Sequence, residues 1–256
     1  MYTLGIACYY HDASACLLKD GTPVAAAEEE RFTRKKHDNS FPIHAIRWCL
    51  ASAGIAGAEL EAVGFYEKPL LKFERILAQH LATFPLSYAT FCKSIPSWLN
   101  EKLRVPRTLR KKVGYRGPIF FVEHHLAHAA SAFLVSPFDE AAILTVDGVG
   151  EWTTAAFGMG RGSDIELARE IRFPHSIGLL YSTITAYLGF SVNNSEYKVM
   201  GLSAYGDMKR ATNPYYRKLR QCLDLQSDGS LRLDMSCFVF HYAERMPSEK
   251  LCALLG

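Results

Sequence analysis

The amino-acid sequence predicts an α/β fold, and three patterns support this. Residues 3–28 contain three short apolar segments separated by polar turns, which is typical of an antiparallel meander. Residues 43–66 then read as a helix followed by a strand, an order that favours parallel pairing. From residue 141 onward, a strand, an acidic turn, a second strand, a glycine turn and a third strand repeat the opening architecture.

The elements of the first half follow from local patterns. The meander strands are predicted at residues 3–9, 13–18 and 22–28. The polar, basic segment that follows has no apolar periodicity, so we predict a loop up to residue 40. Pro42 then opens a helix over residues 43–53, which ends before Gly54. A short strand is predicted at residues 61–66.

A helical insertion is predicted over residues 69–114. Its apolar spacing is helical, and Pro85, Pro96 and Pro106 are expected to break it into several helices. A buried strand at residues 119–122 then leads into a helix that begins near His124. We expect the first half of the fold to occupy residues 1–137.

The second half begins like the first but is expected to be incomplete. An aspartate stands at the first turn of each meander, Asp12 and then Asp147. A helix at 177–188, a loop at 193–206, a helix at 214–223 and a hairpin around 228–229 follow. Since no further strand–helix–strand series follows, residues 138–256 are interpreted as part of a second half with a helical insertion.

Composition excludes several classes of protein. Hydrophobic residues make up 49% and charged residues 21%, as in ordinary soluble domains. A net charge of +3 is too small to indicate nucleic-acid binding, and no apolar run is long enough for a membrane span. The N-terminus lacks a secretory signal pattern. Seven scattered cysteines without a C-x-x-C pair indicate free thiols, so a cytoplasmic protein is expected.

Two histidines and an aspartate form the main candidate site. His124 and His128 are four residues apart and therefore share one helix face. Asp147, at the tip of an apolar strand, could approach them, and such a set suits iron or zinc. The alternative is that these histidines are ordinary surface or core residues, because H-x-x-x-H is common by chance. His125 occupies the position of the glutamate in H-E-x-x-H, which disfavours a metalloprotease.

Other polar segments have both a functional and a structural interpretation. His11, Asp12 and Ser14 form a polar turn that needs no function, although its hydroxyl and backbone amides could hold an anion. The basic run at residues 31–36 is usually a solvated loop. The segment at residues 198–206 has neither a Walker arrangement nor G-x-G-x-x-G and could be a plain turn.

Six collinear segments resemble a known family. They are YYHDASACLL, AAAEEERFTRKKHD, VEHHLAHAASAF, LTVDGVGEW, FPHSIGLLYSTITAYLGF and EYKVMGLSAYG. Together they are similar to the N-terminal part of the O-carbamoyltransferases of the nodulation-protein and cephamycin/tobramycin type. The resemblance runs in the same order over essentially all 256 residues.

The resemblance implies a fold and a reaction. The fold is the duplicated actin-like ATPase (RNase H-like) fold. Enzymes of this family use carbamoyl phosphate and ATP to form carbamoyl-adenylate in a separate C-terminal YrdC-like domain. The actin-like domain then passes the carbamoyl group to a hydroxyl of a small-molecule acceptor, in natural-product or glycan modification. The rest of the actin-like domain and the adenylate-forming domain are expected to lie outside these residues, in cis or in trans.

The resemblance also implies roles for individual residues. His124, His128 and Asp147 correspond to ligands of a divalent metal, Fe²⁺ or Zn²⁺. His11 corresponds to the active-site histidine and Lys36 to a ligand-binding lysine. Phosphate or nucleotide contacts are expected from the following residues: Asp12, Ser14, Gly148, Lys198 and Gly201.

Two other functions remain open at this stage. One is a non-catalytic actin-like module that binds a nucleotide and acts as an assembly or regulatory partner. The other is a tRNA threonylcarbamoyl transferase-like enzyme, which the modest charge and the lack of a basic, aromatic-rich surface disfavour.

Overall fold

A computed structural model describes residues 1–256 as two compact units. The first unit comprises Met1–Phe73 and Ser94–Ala127, and the second comprises Glu74–Lys93 and His128–Gly256. Both are mixed α/β.

The chain contains ten strands, ten α-helices and three short 3₁₀ helices. The strands are β1 (Tyr2–Ala7), β2 (Ser14–Lys19), β3 (Thr22–Glu28), β4 (Ala62–Phe65), β5 (Ile119–Phe121), β6 (Glu140–Val146), β7 (Thr153–Arg161), β8 (Asp164–Arg172), β9 (Leu223–Leu225) and β10 (Leu231–Leu233). The helices are α1 (Glu30–Thr33), α2 (Ile43–Ala53), α3 (Pro69–Ala82), α4 (Tyr88–Asn100), α5 (Val105–Val113), α6 (His124–Phe133), α7 (Ile177–Tyr187), α8 (Glu196–Ser203), α9 (Pro214–Arg220) and α10 (Glu249–Leu255).

The sheet of the first unit has the strand order β3-β2-β1-β4-β5. Strands β1, β2 and β3 form the antiparallel meander that the sequence predicts, and β4 and β5 continue the sheet in parallel. Alternate side chains of β1, Leu4 and Ile6, are buried in the same core cluster as Ile46 and Cys49 of α2. The parallel pairing predicted for residues 61–66 is confirmed, because β4 pairs with β1 in parallel.

The sheet of the second unit is the antiparallel meander β6-β7-β8. Ile143 of β6 packs with Ala129 and Phe133 of α6. Gly160 of β7 makes this packing possible, since a Cβ there would lie 2.5 Å from the Phe133 ring. The predicted hairpin around residues 228–229 is present as β9 and β10.

Three local predictions were wrong. The segment after β3 is not entirely a loop, because α1 forms within it and Thr33 N donates to Glu29 O over 3.0 Å. Pro96 does not break the insertion but lies inside α4. Residues 193–206 are not a loop either, since α8 covers most of them. The Glu196 carboxylate starts this helix by accepting from the Asn193 and Ser195 amides, and helices tolerate a glycine such as Gly201.

The two units share one feature, an antiparallel meander of three consecutive strands. The duplication of an actin-like half, with its boundary near residue 137, stays a prediction. None of the helices combines the length and apolar character that crossing a bilayer requires.

Candidate metal centre and histidine turn

Helix α6 carries the two predicted histidine ligands. The helix is continuous from His124 to Phe133, and the division between the two units falls within it. His124 and His128 are separated by about one turn, so their rings lie on the same helix face. His124 is buried, whereas the His128 side chain is 49% exposed. One ring therefore belongs to the interior and the other is open to solvent.

Asp147 follows β6 and approaches His128. Its backbone N–H donates to Thr154 O over 2.9 Å, which holds the turn against β7. Asp147 Oδ1 accepts from the Gly148 amide over 2.7 Å, and Oδ2 lies 3.6 Å from His128 Nε2. The nearby carboxylate raises the pKa of His128, against the opposing effect of burial.

These three side chains have the donor atoms of a metal site. His128 and Asp147 supply an imidazole and a carboxylate within the second unit, and His124 supplies a second imidazole one turn earlier on the same helix. A separation of 3.6 Å between His128 Nε2 and Asp147 Oδ2 is too long for a hydrogen bond. It is close to the spacing of two ligands that each sit about 2.0–2.2 Å from one ion. The donor set of two imidazoles and a carboxylate fits iron or zinc.

Two residues that the sequence analysis did not single out hold the Asp147 turn in place. Ser176 is fully buried, and its Oγ lies 3.1 Å from Asp147 O and 2.7 Å from Gly148 O. The same Oγ accepts from Leu179 N over 3.0 Å and so caps α7. A Cβ on Gly178 would lie 2.3 Å from Asp147 O. The serine before the apolar run at residue 177 is a helix-start signal that points to this cap.

A second cluster surrounds the turn between β1 and β2. His11 Nδ1 lies 2.8 Å from Asp12 Oδ2, and His37 Nδ1 lies 2.9 Å from Asp12 Oδ1. Burial raises the pKa of Asp12, but the hydrogen bonds from His37 and His11 outweigh this and lower it overall. The sequence analysis missed His37, whose position in an irregular segment carries no periodic signal.

The remaining predicted residues lie in different surroundings. Lys36 is exposed and directly precedes His37. Ser14 begins β2 and pairs with Ala7 and Glu28 through the sheet. The Gly148 amide already donates to Asp147, so a phosphate contact there would have to displace that bond. Lys198 and Gly201 lie on α8, a helix that buries no residue.

A comparison with protein families decides where this chain belongs. The model of the carbamoyltransferase N-terminus matches residues 2–255. The chain belongs to the carbamoyltransferase family. The predicted resemblance is confirmed.

Relatives of this family member are considerably longer. The chain is 48% identical to the uncharacterized protein sll1178 of Synechocystis, over 100% of its own length and 42% of the relative. It is 34% identical to the nodulation protein NolNO of Sinorhizobium fredii, over 88% of its own length and 32% of the relative. The chain thus spans less than half of either relative.

Among solved structures, YeaZ from Pseudomonas aeruginosa is similar at a TM-score of 0.39 and 16% identity, covering 68% of this chain and 66% of that one.

Proposed function

We propose that this chain provides the metal-binding and carbamoyl-transferring part of an O-carbamoyltransferase. It would transfer a carbamoyl group from carbamoyl-adenylate to a hydroxyl of a small-molecule acceptor. The carbamoyl-adenylate would come from carbamoyl phosphate and ATP in a YrdC-like domain supplied in cis or in trans. The observation that best supports this proposal is the approach of Asp147 to His128 in a chain of this family. His128 lies one helical turn after His124.

The side chains around Asp147 suit a resident metal ion. His124, His128 and Asp147 would hold Fe²⁺ or Zn²⁺, since imidazole and carboxylate donors bind both. Such an ion would supply positive charge that stabilises the phosphate of the AMP leaving group. The exposure of the His128 and Asp147 side chains, 49% and 31%, leaves that side of the cluster accessible to a ligand.

In the proposed transfer step, one bond forms, one bond breaks, and the proton and the leaving group each have a destination. The acceptor oxygen forms a bond to the carbamoyl carbon, and the bond from that carbon to the AMP phosphate oxygen breaks. AMP leaves with the electron pair, and the acceptor's proton goes to His11, acting as general base. The Lys36 ammonium would add positive charge beside the anionic group. Backbone amides near Asp12 and Gly148 are the proposed phosphate contacts.

Metal binding is the first test of this proposal. Anaerobic calorimetric titration of ferrous and zinc ions into the chain should show saturable binding. The His128→Ala variant should lose it, because one of three protein ligands is removed. His44→Ala is the matched control, since this partly exposed histidine belongs to the Glu29 contact and not to the cluster. Absence of saturable binding by the unaltered chain would overturn the metal assignment.

A second experiment addresses the transfer itself. AMP should bind more tightly to the metal-loaded chain than to the metal-free chain, and Lys36→Ala should weaken that binding. Supplied with carbamoyl-adenylate and a panel of hydroxyl acceptors, the loaded chain should yield carbamoylated product by mass spectrometry. His11→Asn should remove transfer and leave metal binding intact. Nucleotide binding with no transfer to any acceptor would favour the non-catalytic module instead.

A further inference from the structure

One carboxylate at the β1–β2 turn is shared by two histidines. Asp12 Oδ2 is 2.8 Å from His11 Nδ1, and Asp12 Oδ1 is 2.9 Å from His37 Nδ1. The three side chains are between 37% and 48% exposed, so the cluster is accessible yet partly desolvated. His37 is brought to the turn from the segment after α1, 25 residues along the chain from Asp12.

The hydrogen-bond chemistry fixes which ring nitrogen carries the proton. An ionised carboxylate only accepts hydrogen bonds, so each ring nitrogen that faces Asp12 must be protonated. In a neutral imidazole the other nitrogen then carries a lone pair and can act as a base. His11 is therefore expected to carry its proton on Nδ1 and to present Nε2 as a base. A carboxylate orients the catalytic histidine in the same way in serine hydrolases.

The backbone around this cluster is held in an unusual conformation. Tyr9, Asp12 and His37 have φ angles of 74°, 45° and 54°, in the left-handed region that non-glycine residues rarely adopt. Such residues persist only where surrounding contacts fix them.

Those contacts are present. The Tyr9 amide donates to Asn39 O and the Ala13 amide donates to Asp38 O, each over 2.7 Å. The His37 amide donates to Glu30 Oε2 over 3.0 Å. The turn and the histidine segment are thereby joined on either side of the side-chain bridge. The backbone on both sides of the bridge is consequently held in place, which keeps the two histidines close to Asp12.

We propose that Asp12 and His37 are positioning residues that orient His11 so that its Nε2 accepts the proton of the acceptor hydroxyl. This inference rests on the proposed function, because it gives His11 the role of general base. It also changes the predicted role of Asp12. A carboxylate already bound by two histidine rings repels a phosphate and does not serve as its ligand, so any phosphate contact there would have to come from the backbone.

The tautomer of His11 can be measured directly. In the chain labelled with ¹⁵N-histidine, at neutral pH and without metal or nucleotide, imidazole shifts should show Nδ1 protonated and Nε2 unprotonated for His11. Asp12→Asn should move His11 toward the Nε2–H tautomer. Only the oxygen of an amide accepts hydrogen bonds, so asparagine cannot accept from both rings as the carboxylate does. Asparagine tolerates positive φ, so the turn should be kept.

Asp20→Asn is the matched control. Asp20 also has a positive φ, 51°, but lies in the β2–β3 turn and pairs with the N-terminal ammonium. Its replacement should leave the His11 signals unchanged. A protonated Nε2 in the unaltered chain, or unchanged His11 signals in Asp12→Asn, would overturn the proposal.

Transfer rates separate a positioning role from a merely structural one. Asp12→Asn should lower the rate by about 10²–10⁴-fold, the range for general-base catalysis, without changing metal affinity. His37→Ala should lower it less, and His37→Asn should recover part of the loss because its amide can still donate to Asp12. Unchanged transfer by Asp12→Asn would overturn the positioning role and leave the proposed function standing. If the unaltered chain did not bind metal, the metal assignment would be overturned, and the tautomer result would be unaffected.

Discussion

The turns that follow the first strand of each meander carry an aspartate, and the two aspartates have different partners. After β1, Asp12 uses both carboxylate oxygens to bind histidine rings. After β6, Asp147 uses one oxygen for the amide of its own turn and directs the other toward His128. The aspartates at the first turns of the two meanders therefore acquire different chemistry from residues brought in by other segments.

The two meanders also differ in how they are packed. Strand β1 lies inside its sheet between β2 and β4, whereas β6 lies at the edge of its sheet. In β6 only Ile143 and Thr145 are buried, and Leu144 is 71% exposed. The first turn is therefore supported by a larger core, while the second depends on the specific contacts of Ser176 and Gly178.

The largest expected effect comes from exchanging the two carboxylates for amides, one at a time. Asp147→Asn should lower metal affinity by at least about 100-fold, since loss of outer-shell partners alone costs 10–100-fold. Asp12→Asn should leave metal affinity unchanged and alter only the His11 tautomer. Calorimetric titration and histidine NMR on both variants measure the two properties separately. If each variant changed both properties, the two turns would have to be regarded as one site.

Much of the framework could be predicted because it depends on local signals. The bounds of α2 and β3 match the predicted ranges, since Pro42 and Gly54 delimit the helix and the turn at Gly21 precedes the strand. His124 and His128 share a face because helix periodicity requires it. Asp147 could be placed at a strand tip because a short apolar run ends immediately before it.

What the sequence could not provide are contacts between distant segments. His37 reaches Asp12 only through the backbone bonds that join residues 38 and 39 to the turn. Ser176 caps its helix by a local rule, but its approach to Asp147 is a tertiary contact. Gly201 illustrates a different failure. A glycine in a mixed polar segment favours the prediction of a loop, although the residues around Gly201 favour a helix.

The next largest effect concerns the buried carboxylate that connects the first meander to α2. Glu29 is 1% exposed and accepts from the Ala45 amide over 2.9 Å and from His44 Nδ1 over 2.6 Å. Glu29→Gln should lower the free energy of unfolding by about 1.5–3 kcal/mol, the range for hydrogen bonds to a charged group. Urea denaturation measures this value. Glu59→Gln, which alters an exposed cap on Ala56, is the control and should cost clearly less.

The turn after β6 can be tested through the glycine that allows its close packing. Gly178→Ala would place a Cβ 2.3 Å from Asp147 O, so it should lower stability by about 1–3 kcal/mol and weaken metal binding. Gly201→Ala is the matched control, because a Cβ there meets nothing within 4 Å. It should raise stability by up to about 1 kcal/mol through helix propensity. Equal effects of both substitutions would show that the packing at Gly178 is not specific.

The smallest effect is a pH dependence that distinguishes the Asp12 charge from the shape of its turn. The pKa of Asp12 is lowered in the folded chain, below the ordinary value of 3.8, because the bonds from His37 and His11 outweigh burial. A group of this kind stabilises the fold above its ordinary pKa, and the contribution is lost as the pH falls through the lower folded value. Since the side chain is 38% exposed, the contribution should stay below about 1 kcal/mol. The unfolding free energies of the chain and of Asp12→Asn, measured from neutral pH to below the folded pKa of Asp12, should converge at the acidic end. A difference that stays constant with pH would mean that Asp12 supports its turn without help from its charge.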